Sequence, residues 1–128
     1  MDHDKLIEHL KGVRYVAINV CHGGFGLSQE AAKLYLERAG IEYELVPRED
    51  RHSTNRYGPH IVVNNNYWYD REIPRDDPVL ISVIRDLGKK ANGAYAELKV
   101  VKIPADVEWE IAEYDGAEWV AEKHRTWS

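Results

Sequence analysis

Val13–Val46, VRYVAINVCHGGFGLSQEAAKLYLERAGIEYELV, is the stretch that decides the fold. Its first eight residues are rich in β-branched side chains, and Val16, Ile18 and Val20 share one face at period two. That predicts a strand, central in a sheet. CHGGFGLS then interrupts the pattern with three glycines. Ser28 is a good helix N-cap and Glu30 puts negative charge in the first turn. Ala31, Leu34, Tyr35 and the stem of Arg38 make the buried stripe of a helix, and Gly40 ends it. Ile41, Tyr43 and Leu45 alternate with Glu42 and Glu44, which predicts a half-buried strand. The order is strand, glycine loop, helix, strand.

Outward from this unit the signals stay local. Upstream, Asp2 or Asp4 caps a short N-terminal helix with Leu6, Ile7 and Leu10 on one face and Gly12 as its stop. Downstream, Pro47 to Pro59 has no period, and a loop of about a dozen residues is usually functional or mobile. His60–Val63 and Tyr67–Asp70 read as a hairpin about Asn64, Asn65 and Asn66, since Asn tolerates left-handed backbone. Asp77-Pro78 starts another helix. Its stripe is Val79, Leu80, Val83, Ile84 and Leu87, with Asn92-Gly93 as a plausible stop. Leu98–Ile103 is a strand, broken by Pro104.

Val107–Tyr114 and Ala117–His124 flank Asp115-Gly116, a strong type I′ turn signal. A two-residue loop pairs Tyr114 with Ala117, Ala112 with Trp119 and Ile111 with Val120. It also sets Glu113 against Glu118, a like-charge pair that costs stability unless a basic group lies nearby. The fold class is α+β (mixed α/β), antiparallel-rich, with two main helices, a short N-terminal helix and a C-terminal β-hairpin. The chain reads as one domain, 1–128, with a possible hairpin extension at 105–128.

Composition narrows the function. The 128 residues are 44% hydrophobic and 30% charged, which is globular composition. The formal charge of −5 argues against duplex nucleic acid, which needs a basic footprint. It leaves room for a small anion held by a few local donors. A single Cys excludes an intrachain disulfide and a multi-Cys zinc site. No apolar run approaches the ~20 residues of a membrane helix. The acidic, amphipathic beginning of the chain is unlike a signal peptide, so the expected home is a reducing cytoplasm. The four Trp, eight Tyr and one Phe are many for so short a chain. Apolar area left over from one small core usually marks an interface, so a homo-oligomer is expected.

The glycine loop carries the chemistry. Glycines bring backbone N–H groups close to a ligand, and the following helix offers its positive end to an anion. Phosphate candidates are the N–H groups of Gly23, Gly24 and Gly26, with Arg56 and Arg125 as charge-assisted partners. Phe25 and Asn92 complete the candidate ligand site, the latter as a base-reading amide. The spacing is neither a Walker A loop nor GxGxxG. The alternative is a tight turn that packs Phe25 against the sheet. Asn92 then is simply a helix stop, and Arg125 offsets Glu113 and Glu118.

Cys21 and His22 suggest a thiol nucleophile with a base, but neighbours at a strand end point to opposite faces. The other histidines show no metal-ligand spacing. Neither a catalytic residue, a metal nor a cofactor is expected. In the long loop, Arg48, Arg51, His52 and Arg56 lie beside Tyr57, a set that suits either a stacked base or a solvated loop. His124-Arg125-Thr126-Trp127 brings a large aromatic that packs on a sheet, a partner subunit or a ligand.

INVCHGGFGLSQEA, DPVLISVIRDLGKKANG and VEWEIAEYDGAEWVAEKHRTW together resemble a family of small phage-encoded proteins, the anti-Thoeris sponges. The resemblance spans most of the chain. It implies a phage anti-defence protein in the host cytoplasm, with no enzymatic activity. Such a protein sequesters a cyclic ADP-ribose isomer between subunits of an oligomer (a dimer or hexamer) without cleaving it. Cyclic oligonucleotides occupy further sites in that picture. The competing readings are a small nucleotide-processing hydrolase using Cys21 or a histidine, and a phage protein that binds a host protein.

Overall fold

The computed structural model describes residues 13–47 and 58–123. Its elements are β1 (Val13–Asn19), α1 (Gln29–Arg38), β2 (Glu44–Val46), β3 (His60–Val63) and β4 (Asn66–Tyr67), then α2 (Pro78–Leu87), β5 (Leu98–Pro104), β6 (Trp109–Tyr114) and β7 (Ala117–Glu122). Short 3₁₀ turns cover Asp70–Glu72 and Gly88–Ala91. The class is α+β: the strands form antiparallel sheets in the orders β1-β5, β2-β3-β4 and β6-β7. The expected N-terminal helix, the arginines of the long loop and the C-terminal His124–Trp127 lie outside the described residues.

Both helix starts form as their residues dictate. Ser28 accepts from the Ala31 N–H at 3.1 Å. One Asp77 oxygen caps α2 by accepting from Val79 and Leu80, and the other accepts from the Tyr35 hydroxyl at 3.0 Å. That bond ties α1 to the start of α2. The helices pack on one face of β1-β5, where Ala17, Leu36, Leu80 and Val83 are fully buried. On β1, Tyr15 and Ala17 face this core; Val16 and Ile18 point the other way and are buried too, and β7 packs against β1. The β6-β7 hairpin has the predicted register throughout. Asp115 and Gly116 have φ of 51° and 88°, the left-handed pair that a type I′ turn requires. Asn64 and Asn65, also left-handed, make the other turn.

Four expectations are corrected. Among the described residues β1 is not central: its one strand neighbour there is β5. Its other edge is closed by Arg75, whose carbonyl accepts from Ala17 N–H at 2.7 Å and whose guanidinium donates to the Ala17 carbonyl at 3.2 Å. The α-helical turns of α2 already end at Gly88, with φ of 58°, and a 3₁₀ turn carries the segment on to its cap at Asn92. Leu45 and Val20 are 42% and 38% exposed: Leu45 lies on β2, which is exposed along its whole length, and Val20 lies just past the end of β1. Leu36 and Ile81, absent from the expected stripes, are buried because each helix meets neighbours over a wider arc than one stripe.

Candidate functional site

Asn19 organises the ground beneath the glycine loop. Asn is an unusual residue in a β-branched strand, and this one is fully buried. Its Nδ2 donates to the carbonyls of Cys21 and Gly116, both at 2.9 Å. Its Oδ1 accepts from Glu97 N–H at 2.8 Å and from the Cys21 thiol at 3.2 Å. Its own N–H donates to Glu118 at 2.8 Å. One side chain therefore joins β1, the start of the loop, the β5 approach and the hairpin turn.

Glu118 is the other half of that junction. Arg75 grips it with two nitrogens, at 2.7 and 3.0 Å, and lies 3.6 Å over the Phe25 ring. This is the basic group that the Glu113–Glu118 cross-strand pair requires. Burial pushes the Glu118 carboxyl up, but the Arg75 hydrogen bonds, the Asn19 N–H and the Arg75 charge outweigh it and hold it below the ordinary value.

Above this base the loop is clasped on both sides. Gly24 N–H donates to the Tyr95 carbonyl, and Gly93 N–H to the Gly26 carbonyl, each at 2.9 Å. A Cβ on Gly23 would lie 1.8 Å from the Tyr95 oxygen, so only glycine fits there. Gly24 has open space around its Cβ position. Leu27 N–H donates to the Asp70 carboxylate at 2.7 Å. Ser28 N–H donates to the Ala91 carbonyl.

The result is a cleft of about 480 Å³ lined by Gly23–Leu27, Asp70 and Gly93–Tyr95. Gly23, Gly24, Phe25 and Gly26 are brought together there, as their sequence positions predict. Asn92 adjoins it, bridging to Leu27, but its Oδ1 is engaged with Leu98 N–H at 2.9 Å. Arg56 and Arg125 lie outside the described residues. One expectation is corrected: the Gly24 amide is spent on Tyr95 and is not a free phosphate donor. The N–H groups of Gly23, Phe25 and Gly26 meet no hydrogen-bond partner among the described residues. Asp70 and Tyr95 are cleft residues that sequence reasoning missed. Neither has a local motif, and Asp70 lies 43 residues from its partner Leu27.

Among the described residues, Cys21 has no base among its hydrogen-bond contacts. Its thiol donates toward Asn19 Oδ1 and the Tyr95 carbonyl, both at 3.2 Å, while His22 reaches the Asp115 carbonyl instead. A serine hydroxyl can make the same bonds. Cys21→Ser is therefore expected to fold with a melting temperature within a few degrees of the parent and to bind ligand unchanged. Thermal melts and titration check this; a folded variant that loses function would instead make the thiol a nucleophile.

Among the described residues no three metal-ligating groups cluster, and no helix is long and apolar enough to cross a membrane. In comparisons with known protein families, curated proteins and solved structures, nothing matches the chain.

Proposed function

We propose that this protein binds and sequesters a small nucleotide signal without cleaving it, as a phage anti-defence protein acting in the host cytoplasm. The ligand class is a cyclic ADP-ribose isomer, with cyclic oligonucleotides as further candidates. The observation that carries this reading is the glycine-walled cleft, which offers donors and an acceptor together. The amides of Gly23, Phe25 and Gly26 suit phosphate or base acceptors, and the Asp70 carboxylate suits hydroxyl or amino donors. The volume falls in the range of small-molecule sites, and Phe25 and Tyr95 supply aromatic surface. Cys21 and His22 turn to different carbonyls, of Tyr95 and Asp115, and this supports binding over hydrolysis by that pair. A homo-oligomer belongs to the same proposal. Tyr114 and Trp119, on one face of the hairpin, are 73% and 48% exposed, which suits a surface covered by another copy.

Incubation with a panel of cyclic nucleotides, followed by denaturation and mass spectrometry, tests the proposal. Release of an intact nucleotide, with light scattering above the mass of one chain, is the expected result. A chemically altered nucleotide makes the protein an enzyme. No retention from any member leaves the host-protein binder as the better reading.

A further inference from the structure

Among the described residues, Asp70 is the one charged residue lining the glycine cleft. A phosphate placed against it would be repelled, so the cleft does not have the charge of a phosphate cradle throughout. Asp70 is also held in place. Its Oδ2 accepts from the Leu27 N–H at 2.7 Å, and its backbone carbonyl accepts from Ile73 N–H at 3.0 Å as part of the 3₁₀ turn. A carboxylate has about four acceptor positions, and this one uses a single position within the described residues. What remains is a fixed anionic acceptor, beside Phe25 and Tyr95, in a cavity of nucleoside size.

We infer that Asp70 receives the vicinal hydroxyls of a ribose, so that the cleft selects ribonucleotides over deoxyribonucleotides and directs phosphate away from its acidic wall. This inference rests on the nucleotide reading above and names the part of the ligand that the cleft takes. Two adjacent hydroxyls are the donors a nucleotide presents to a carboxylate, and hydrogen bonds to an ionised acceptor are the strong ones. Because the Leu27 amide already orients the carboxylate, little ordering remains to be done on binding. The ring surface of Tyr95 and Phe25 then lies beside the sugar, where a base can stack.

A purely structural Asp70, a buckle between the loop and the 3₁₀ turn, makes a different prediction. Asp70→Asn keeps an oxygen for the Leu27 amide and removes the charge. The experiment measures the affinities of the parent and Asp70→Asn for adenosine and for 2′,3′-dideoxyadenosine, with a thermal melt of each protein. The parent is expected to prefer adenosine by about tenfold or more. Asp70→Asn is expected to melt near the parent and to lose most of that preference. Equal binding of the two nucleosides by the parent, an unchanged preference in the variant, or no binding of either overturns the inference. The two levels separate cleanly. Retention of cyclic nucleotides without ribose preference removes this inference and leaves sequestration standing. Ribose preference without retention of any cyclic nucleotide does the reverse.

Discussion

Asn19→Leu is expected to lower stability by about 3–5 kcal/mol, enough to unfold a marginal domain of this size. Leucine matches asparagine in reach but supplies no amide. The Glu97 N–H and the carbonyls of Cys21 and Gly116, which meet the fully buried Asn19 side chain in part-buried bonds, then lose that partner together. A group left unsatisfied away from water costs about 1–3 kcal/mol, so the loss at three groups together outweighs the apolar gain of one new side chain. Asn19→Asp is the informative companion. It keeps the acceptor facing Glu97 but turns the Nδ2 donor into an oxygen facing two carbonyls, so it too is expected to destabilise strongly. Chemical denaturation of the three proteins checks this; a Leu variant within 1 kcal/mol of the parent would mean that the junction does not hold the hairpin.

Arg75→Met is expected to cost about 2–4 kcal/mol. Methionine preserves stem packing and contact with Phe25 but leaves the Glu118 carboxylate without its guanidinium, while the Glu118 side chain is only 9% exposed. The Ala17 carbonyl, on the β1 edge that Arg75 closes, also loses a donor. The pair sets a pH dependence as well. Folding depresses the Glu118 carboxyl below its ordinary value of 4.5, so the folded state binds that proton less readily than the unfolded chain. The resulting stability is present above about pH 4.5 and is lost as pH falls through the lower, folded-state value. Glu118→Gln is expected to be less stable than the parent at neutral pH, with the gap narrowing as pH drops below 4.5. Thermal melts from pH 3 to pH 7 measure it, and a gap that stays constant would exclude this assignment.

What was legible in the sequence follows the range of the contacts. Ser28 and Asp77 cap helices through atoms two or three residues away, and Asp115-Gly116 fixes the hairpin register by its own backbone. Such features need no knowledge of the rest of the fold. The glycine loop was legible as a place of close approach, because glycine runs at a strand-to-helix junction have few other uses. Its partners were not legible. Asp70 reaches Leu27 across 43 residues, Arg75 reaches Glu118 across 43, and Asn19 reaches Gly116 across 97. The need for a cation near Glu113 and Glu118 could be read from the hairpin register, but not which arginine meets it. Arg75 gave no sign, since nothing in its neighbourhood distinguishes it from other surface arginines. Asn19 did give one, as a polar side chain inside a β-branched run.

The glycines themselves divide by function. Gly23 is required by the Tyr95 carbonyl, and Gly116 by its left-handed φ and its approach to the Gly23 backbone. Gly93 sits against the Gly26 backbone for the same steric reason. These positions explain themselves by packing alone. Gly24 does not: it lines the cleft, and a Cβ there meets nothing within 4 Å among the described residues. The fold leaves that position open without needing glycine, which fits a surface kept clear for a ligand.

Titration calorimetry of the parent and Gly24→Val, with the nucleotide that the parent retains, tests the cleft as the binding site most directly. A Cβ at this position meets nothing within 4 Å among the described residues, so the melting temperature of Gly24→Val is expected to stay within a few degrees of the parent. The valine methyl groups occupy space that a ligand backed against the loop needs, and affinity is expected to fall by about tenfold or more. A Gly24→Val protein that melts like the parent and binds every retained nucleotide with the parent's affinity would place the ligand elsewhere.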